Sequence, residues 1–143
     1  MKINIIAIGK MSKEFKVLFD DYKKKAEFYS RINVVELKDI RDNNSEIQKK
    51  KETESILNAI PKGSRVIYCS ITGRQKTSPE FSEMFHEDNI TFVIGGSYGV
   101  DESRFNEKLN FSKMTFPHQM FRVILIEQIF RGLSILNNSK YHK

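Results

Sequence analysis

Short apolar runs alternate with segments of helical period along the whole chain, and this alternation limits the fold more than any other feature. Lys2–Ile8 is an apolar run stopped by Gly9, as expected of a strand buried on both faces. Phe15, Leu18, Phe19, Tyr22, Ala26 and Tyr29 then recur at steps of three and four. That spacing predicts an amphipathic helix over 13–30 with Ser12 as its N-cap. A second strand is expected over Ile32–Leu37, a polar turn over Asp39–Ser45, and a charged helix over Glu46–Ala59 ended by Pro61-Lys62-Gly63. Arg65–Ile71 reads as a third strand. Ser78-Pro79-Glu80 follows, with serine placed to cap a short helix and proline at its first position. Ile90–Ile94 is the fourth strand, Glu102–Glu107 a small helix, Leu109–Met114 a short fifth strand and 118–137 a long closing helix. Strand and helix in regular alternation specify an α/β fold, a mostly parallel sheet flanked by helices.

The 143 residues suffice for one domain with one sizeable core, so a single domain over 1–143 is expected. No apolar stretch approaches the length that spans a bilayer. The start, Met1-Lys2-Ile3-Asn4-Ile5, lacks the apolar region of a signal peptide. A cytoplasmic protein without a membrane partner is the expectation. The one cysteine, Cys69, excludes an internal disulfide, and with the scattered His86, His118 and His142 it makes no zinc pattern. No metal is expected. The formal net charge of +6 favours an anionic partner such as nucleic acid. The basic triplets Lys23–Lys25 and Lys49–Lys51 fall on helices, where such runs are usually solvated faces.

In open α/β sheets ligands bind at the carboxyl ends of strands. Three unusual segments fall there: Cys69–Gly73, Gly95-Gly96-Ser97-Tyr98-Gly99 and Ser112–Gln119. The glycines let backbone approach a ligand, yet their spacing matches neither a dinucleotide fingerprint nor a phosphate-binding P-loop. A tight strand-to-helix turn explains them equally well. In the third segment Pro117 is placed to open a helix and Thr115 to cap it. The free amides of that helix start suit a carboxylate or another acceptor. His118 lies on the first turn, with Arg122 on the same face as a candidate for RNA phosphate. Glu127 and Arg131 are also four apart, on roughly the opposite side of the helix. The pair is either a stabilising surface pair or a contact across a dimer. After Glu127 the chain carries only basic charges, Arg131, Lys140 and Lys143. The two lysines are candidate RNA contacts, Tyr141 is available to stack on a base, and a frayed terminus is the plainer reading.

Four segments in register carry a family resemblance: Phe92-Val93-Ile94-Gly95-Gly96-Ser97-Tyr98-Gly99, Ser112-Lys113-Met114-Thr115-Phe116-Pro117-His118-Gln119-Met120, Arg122-Val123-Ile124-Leu125-Ile126-Glu127-Gln128 and the closing Tyr141-His142-Lys143. They resemble the bacterial ribosomal RNA large-subunit pseudouridine N3-methyltransferases. The opening Met1-Lys2-Ile3 and Ala7-Ile8-Gly9-Lys10 look like that family too. The resemblance implies a SPOUT (alpha/beta-knot) fold with a C-terminal trefoil knot, a topology too rare for periodicity to suggest. It implies S-adenosylmethionine bound in the knot and a homodimer whose second subunit completes the RNA site. The implied target is a pseudouridine of ribosomal RNA in the assembled ribosome. By position, Cys69, Gly95, Gly96, Ser112, Lys113, Met114, Thr115, Phe116 and Pro117 match cofactor-binding segments. His118, Arg131, Tyr141 and His142 match positions tied to substrate binding or catalysis.

Two departures from the family pattern bear on function. The chain is short around Asp39–Ser45 and His86–Asn89, and Cys69 stands where a larger apolar residue, commonly leucine, is expected. They motivate a rival reading, a ribosome- or RNA-binding module that kept the fold and lost turnover. A flavodoxin-like nucleotide-binding domain is a weaker alternative. For the methyltransferase, N3 carries an imide proton that must leave before or during attack. A base (His118 or His142) or a stabiliser of the anion (Arg131 or Arg122) is therefore wanted.

Overall fold

The computed structural model describes residues 1–143. Five strands, β1 (Lys2–Ile8), β2 (Arg31–Leu37), β3 (Arg65–Gln75), β4 (Asn89–Ile94) and β5 (Lys108–Asn110), form one sheet in the order β2-β1-β4-β3-β5. Every pairing is parallel. The helices are α1 (Lys13–Glu27), α2 (Ser45–Ala59), α3 (Ser78–Ser82) and α4 (His118–Leu136). Parallel neighbours need crossover connections, and the helices that supply them cover both faces.

Side chains alternate across the sheet, and β1 shows how that divides the core. Ile3, Ile5 and Ala7 face one side, where they pack with Ile67, Ile90, Phe92 and Ile94 against Phe19 and Ala26 of α1 and Leu125, Ile126, Ile129 and Leu133 of α4. Ile6 and Ile8 face the other side, with Val93, Tyr68, Val100 and Phe105 against Ile56 of α2. Each fully buried side chain of this kind stabilises the fold by about 1.5–3 kcal/mol. Because α4 packs along α1 and α3, its first turn is carried to the carboxyl ends of the strands.

Several element ends differ from the sequence expectation. The first helix stops at Glu27, and the closing helix at Leu136 with Asn138 in the left-handed region (φ 56°). Ser12 makes no side-chain cap; its amide instead donates to the side chain of Gln119. The short third helix is capped by Thr77, not Ser78, through a reciprocal capping box with Glu80. Pro117, not Thr115, occupies the N-cap of α4, without a side-chain cap. The small helix expected over 102–107 is one 3-10 turn, Glu102–Arg104.

The largest difference lies in β3 and β5. The third strand runs on to Gln75, and the fifth is only Lys108–Asn110. Leu109 pairs with Cys69 and again with Arg74, so residues 70–73 pass around β5. A Cβ on Gly73 would lie 2.6 Å from both the Leu109 nitrogen and the Lys108 carbonyl carbon. Backbone therefore lies directly on backbone at the crossing, where only glycine fits.

Candidate active site

The segments that follow β1, β4 and β5, together with the outer part of β3, meet at the first turn of α4. The β3 extension (Cys69, Ser70, Ile71) and the segment after β5 (Phe111, Ser112, Met114, Thr115, Phe116) face each other across a cleft of about 140 Å³, with Phe121 also lining it. Local hydrogen bonds shape this segment. The Ser112 amide donates to Asn110 Oδ1 at 3.0 Å, and the Met114 amide to Ser112 Oγ at 2.9 Å. The Asn110 amide group donates to the Ile71 carbonyl at 3.2 Å, tying the two walls together. Ile71 and Met114 are 72% and 75% exposed, so large apolar side chains stand at the lip with nothing in this chain over them.

Of the residues expected at the cofactor, Cys69, Ser112, Met114, Thr115 and Phe116 line the cleft. Lys113 and Pro117 belong to the same segment but do not line it. Burial pushes the Cys69 thiol up to about 12, so it stays protonated and serves as a small wall, not as a nucleophile. Gly95 and Gly96 lie outside the cleft, and His118 ties Gly95 to the first turn of α4. The imidazole Nε2 of His118 donates to the Gly95 carbonyl at 2.8 Å. Burial, and then the charge of Arg122, lower the His118 pKa below the ordinary histidine value. Beneath the same loop lies Glu52 of α2, fully buried, its Oε2 accepting from the Ile40 amide at 3.0 Å. Oε1 has no hydrogen-bond partner, and it would lie 2.6 Å from a Cβ on Gly96.

Arg122 is a correction. Expected to meet phosphate, it is 1% exposed and both of its terminal nitrogens are engaged within the fold. Nη1 donates to Glu36 at 2.6 Å, and Nη2 donates to the Ile8 and Gly9 carbonyls at 2.7 Å each. Its place is structural: it ties α4 to the carboxyl end of β1 and to β2. A guanidinium enclosed in this way cannot be offered to RNA or to a reacting base.

The C-terminal residues are docked instead of frayed. Tyr141 donates to Glu127 Oε2 at 2.7 Å, and its ring lies 4.6 Å from that of Phe130 and 4.8 Å from the Arg131 guanidinium. Arg131 donates to Glu127 through Nη2 at 2.6 Å and Nε at 3.3 Å. Its Nη1 donates to His142 Nδ1 at 3.1 Å. The Glu127 carboxylate thus organises both Arg131 and Tyr141, and burial with that contact raises the Tyr141 pKa. Lys140 and Lys143 are exposed at the tail. The basic triplets are partly offset by neighbouring acids, as in Lys23–Glu27, Lys25–Asp21 and Lys49–Glu46.

Sequence reasoning missed Glu36, Glu52 and Glu102. The last accepts from Ser70 and Thr72 at 2.9 and 2.7 Å and so steadies the β3 extension. A weak signal existed only for Glu52. Gln48, Glu52 and Ile56, one turn apart, are all buried on the inner face of α2, and a stripe of that period was present in the sequence.

This geometry coincides with clear similarity to known proteins. The family model described as "Predicted SPOUT methyltransferase" matches residues 1–142. The chain belongs to the SPOUT methyltransferase family. Enzymes of this family take the methyl group from S-adenosylmethionine. A protein named Ribosomal RNA large subunit methyltransferase H from Mycoplasma mobile is 55% identical over 143 residues, covering 100% of both chains. Proteins of the same name from Mycoplasmopsis pulmonis and Clostridium tetani are 57% and 43% identical over 145 and 159 residues, again with full coverage of both chains. The residues present fit the methyl donor. The cleft at the strand ends is lined mostly by apolar residues, as small-molecule sites are. Beside it, Gly96 presents bare backbone.

Proposed function

We propose that this protein methylates N3 of a pseudouridine in large-subunit ribosomal RNA, on assembled ribosomes, with S-adenosylmethionine as donor. The observation that carries the reading is end-to-end similarity, at 55–57% identity, to proteins named Ribosomal RNA large subunit methyltransferase H. The whole chain, residues 1–143, acts as one domain, and residues 70–73 passing around β5 form the crossing of a trefoil knot. The protein works in the cytoplasm, and none of its helices is long and apolar enough to cross a membrane.

The working unit is a homodimer. His118 and Arg131 are 13 positions apart on α4, roughly 20 Å at the helical rise, and they face different sides. One substrate base cannot touch both within one chain. A second copy that lays its docked tail near the cleft brings the two groups together, and it also covers Ile71 and Met114. The short cleft of one chain then becomes a closed site.

Bound S-adenosylmethionine supplies a methyl group already activated by its sulfonium. The protein's residues supply the rest. The segments 69–71 and 112–117 with Gly95-Gly96 hold and orient the donor, which provides proximity and alignment. Arg131, Tyr141 and His142 bind the RNA nucleotide, and Lys140 and Lys143 meet phosphate, an attraction that weakens with salt.

The test is methyl transfer from labelled S-adenosylmethionine to intact ribosomes that lack the modification, with the product nucleoside read by mass spectrometry. Methylpseudouridine at one site supports the reading. Binding of the donor without transfer to ribosomes refutes it and favours the module that lost turnover.

A further inference from the structure

The hydrogen bonds of His118 and His142 fix which atom each ring can offer a substrate, and they do so in opposite senses. A carbonyl oxygen only accepts. The 2.8 Å contact from His118 Nε2 to the Gly95 carbonyl therefore places the proton on Nε2 and leaves a lone pair on Nδ1. No group in the chain donates to that Nδ1. An arginine guanidinium only donates. The 3.1 Å contact between Arg131 Nη1 and His142 Nδ1 makes that nitrogen an acceptor and places the proton on Nε2. No group in the chain accepts from it. Both rings carry the Nε2–H tautomer, yet His118 presents a lone pair and His142 presents an N–H.

We propose that His118 Nδ1 is the acceptor of the pseudouridine N3 proton, and that His142 Nε2–H of the second copy donates a hydrogen bond to a carbonyl flanking N3. The proposal rests on the functional reading above. The N3–H bond breaks toward His118 Nδ1. The N3 electron pair forms the bond to the methyl carbon, and the pair of the broken sulfur–carbon bond stays on sulfur. The imidazolium then returns its proton to water. Negative charge building on the base spreads onto the carbonyl that faces His142, where a fixed donor stabilises it. Glu127 is a positioning residue in this scheme, because it holds Arg131 in place to donate to His142.

The surroundings of His118 suit an acceptor. The charged groups near it are Arg122, which disfavours its protonation, and Asp39, which favours it, while burial weighs most against the charged form. The ring is consequently neutral at pH 7, with its lone pair available.

The first experiment uses the whole protein without ligand. Two-bond proton–nitrogen correlation spectra of ¹⁵N-histidine protein at neutral pH are expected to show the Nε2–H tautomer at both positions. An Nδ1–H tautomer or an imidazolium at either one overturns its assignment. The second compares variants by donor binding and by ribosome methylation. Gln at 118 keeps an amide that can donate to the Gly95 carbonyl but has no base. H118Q should bind the donor normally, lose about 100-fold or more in kcat, and lose the acidic limb of the pH profile. A wild-type rate with that limb intact overturns the acceptor role. H142Q keeps a donor near Nε2 and should stay within about tenfold of wild type, while H142F falls by about 100-fold. H142Q as inactive as H142F overturns the donor role. If wild type binds the donor yet leaves ribosomes unmethylated, the functional reading fails and the proposed roles fail with it; the spectra still decide the tautomers.

Discussion

Gly96 rests directly on the carboxyl of Glu52: a Cβ at Gly96 would stand 2.6 Å from Oε1 and 3.1 Å from Ile8 Cγ2. The acid is fully buried and anchored through Ile40, so it has little room to retreat. Through this contact the height of the Gly95-Gly96 backbone is set from α2, and His118 reads that height through the Gly95 carbonyl.

Gly96→Ala is therefore expected to displace the loop and lower affinity for S-adenosylmethionine by about tenfold or more, with the fold retained. Gly96→Arg should abolish binding. The clash is mainly with one side chain, so Gly96→Ala in a Glu52→Ala background should cost less than the sum of the two single changes. Calorimetric titration of the four proteins measures this. Strict additivity would show that the contact does not position the loop.

Burial raises the Glu52 pKa above its usual 4.5. Below about pH 4.5 the carboxyl is protonated in both folded and unfolded chains and contributes no pH-dependent cost. As pH rises from there, the unfolded chain ionises first. The folded state falls behind, until pH passes the folded pKa and the cost is complete. Glu52→Gln does not titrate. The variant should gain stability relative to wild type as pH rises from 4.5 to 8, and urea melts at several pH values would follow the gap. A gap independent of pH would mean that Glu52 is ionised in the fold with no penalty.

Arg122→Met removes the guanidinium that joins Glu36 to the Ile8 and Gly9 carbonyls. Hydrogen bonds to a charged group are worth about 1.5–3 kcal/mol each, so a loss of roughly 3 kcal/mol or more is expected. Measured RNA affinity per folded molecule should be unchanged. A variant of normal stability with weakened RNA binding would return Arg122 to the RNA surface.

Strand and helix period made the layered α/β sheet legible, because the alternation of Ile3, Ile5 and Ala7 against Ile6 and Ile8 is a local property of one strand. The cluster at the strand ends was legible too, since Gly95-Gly96 and Ser112–His118 fall after strands in chain order. What the sequence concealed depends on contacts between residues far apart. Arg122 to Glu36 spans 86 positions, and nothing in a basic residue on a helix face tells that its partners are carbonyls on the first strand. Gly73 reads in the sequence as the end of an unusual strand-end loop at the ligand site, while its use is a backbone crossing over Leu109. Likewise Glu127 and Arg131 showed the spacing of a surface pair, and only the folded tail reveals that Tyr141 and His142 complete it.

That tail gives the last prediction. Tyr141 and His142 contact α4 through Glu127, Phe130 and Arg131, none of which lines the cleft. Their removal leaves the sheet core untouched and exposes only part of one helix face. Deletion of Tyr141–Lys143 should preserve S-adenosylmethionine affinity within about twofold, since uniform donor binding does not involve the tail, and should lower methyl transfer to ribosomes by about 100-fold or more. Glu127→Gln keeps the chain length but weakens the anchor of both Arg131 and Tyr141. It should therefore show the same pattern in milder form, a fall in kcat at constant donor affinity. Truncated protein that methylates ribosomes at the full rate would remove the tail from the reaction, and equal loss of donor binding would place it in the cofactor site instead.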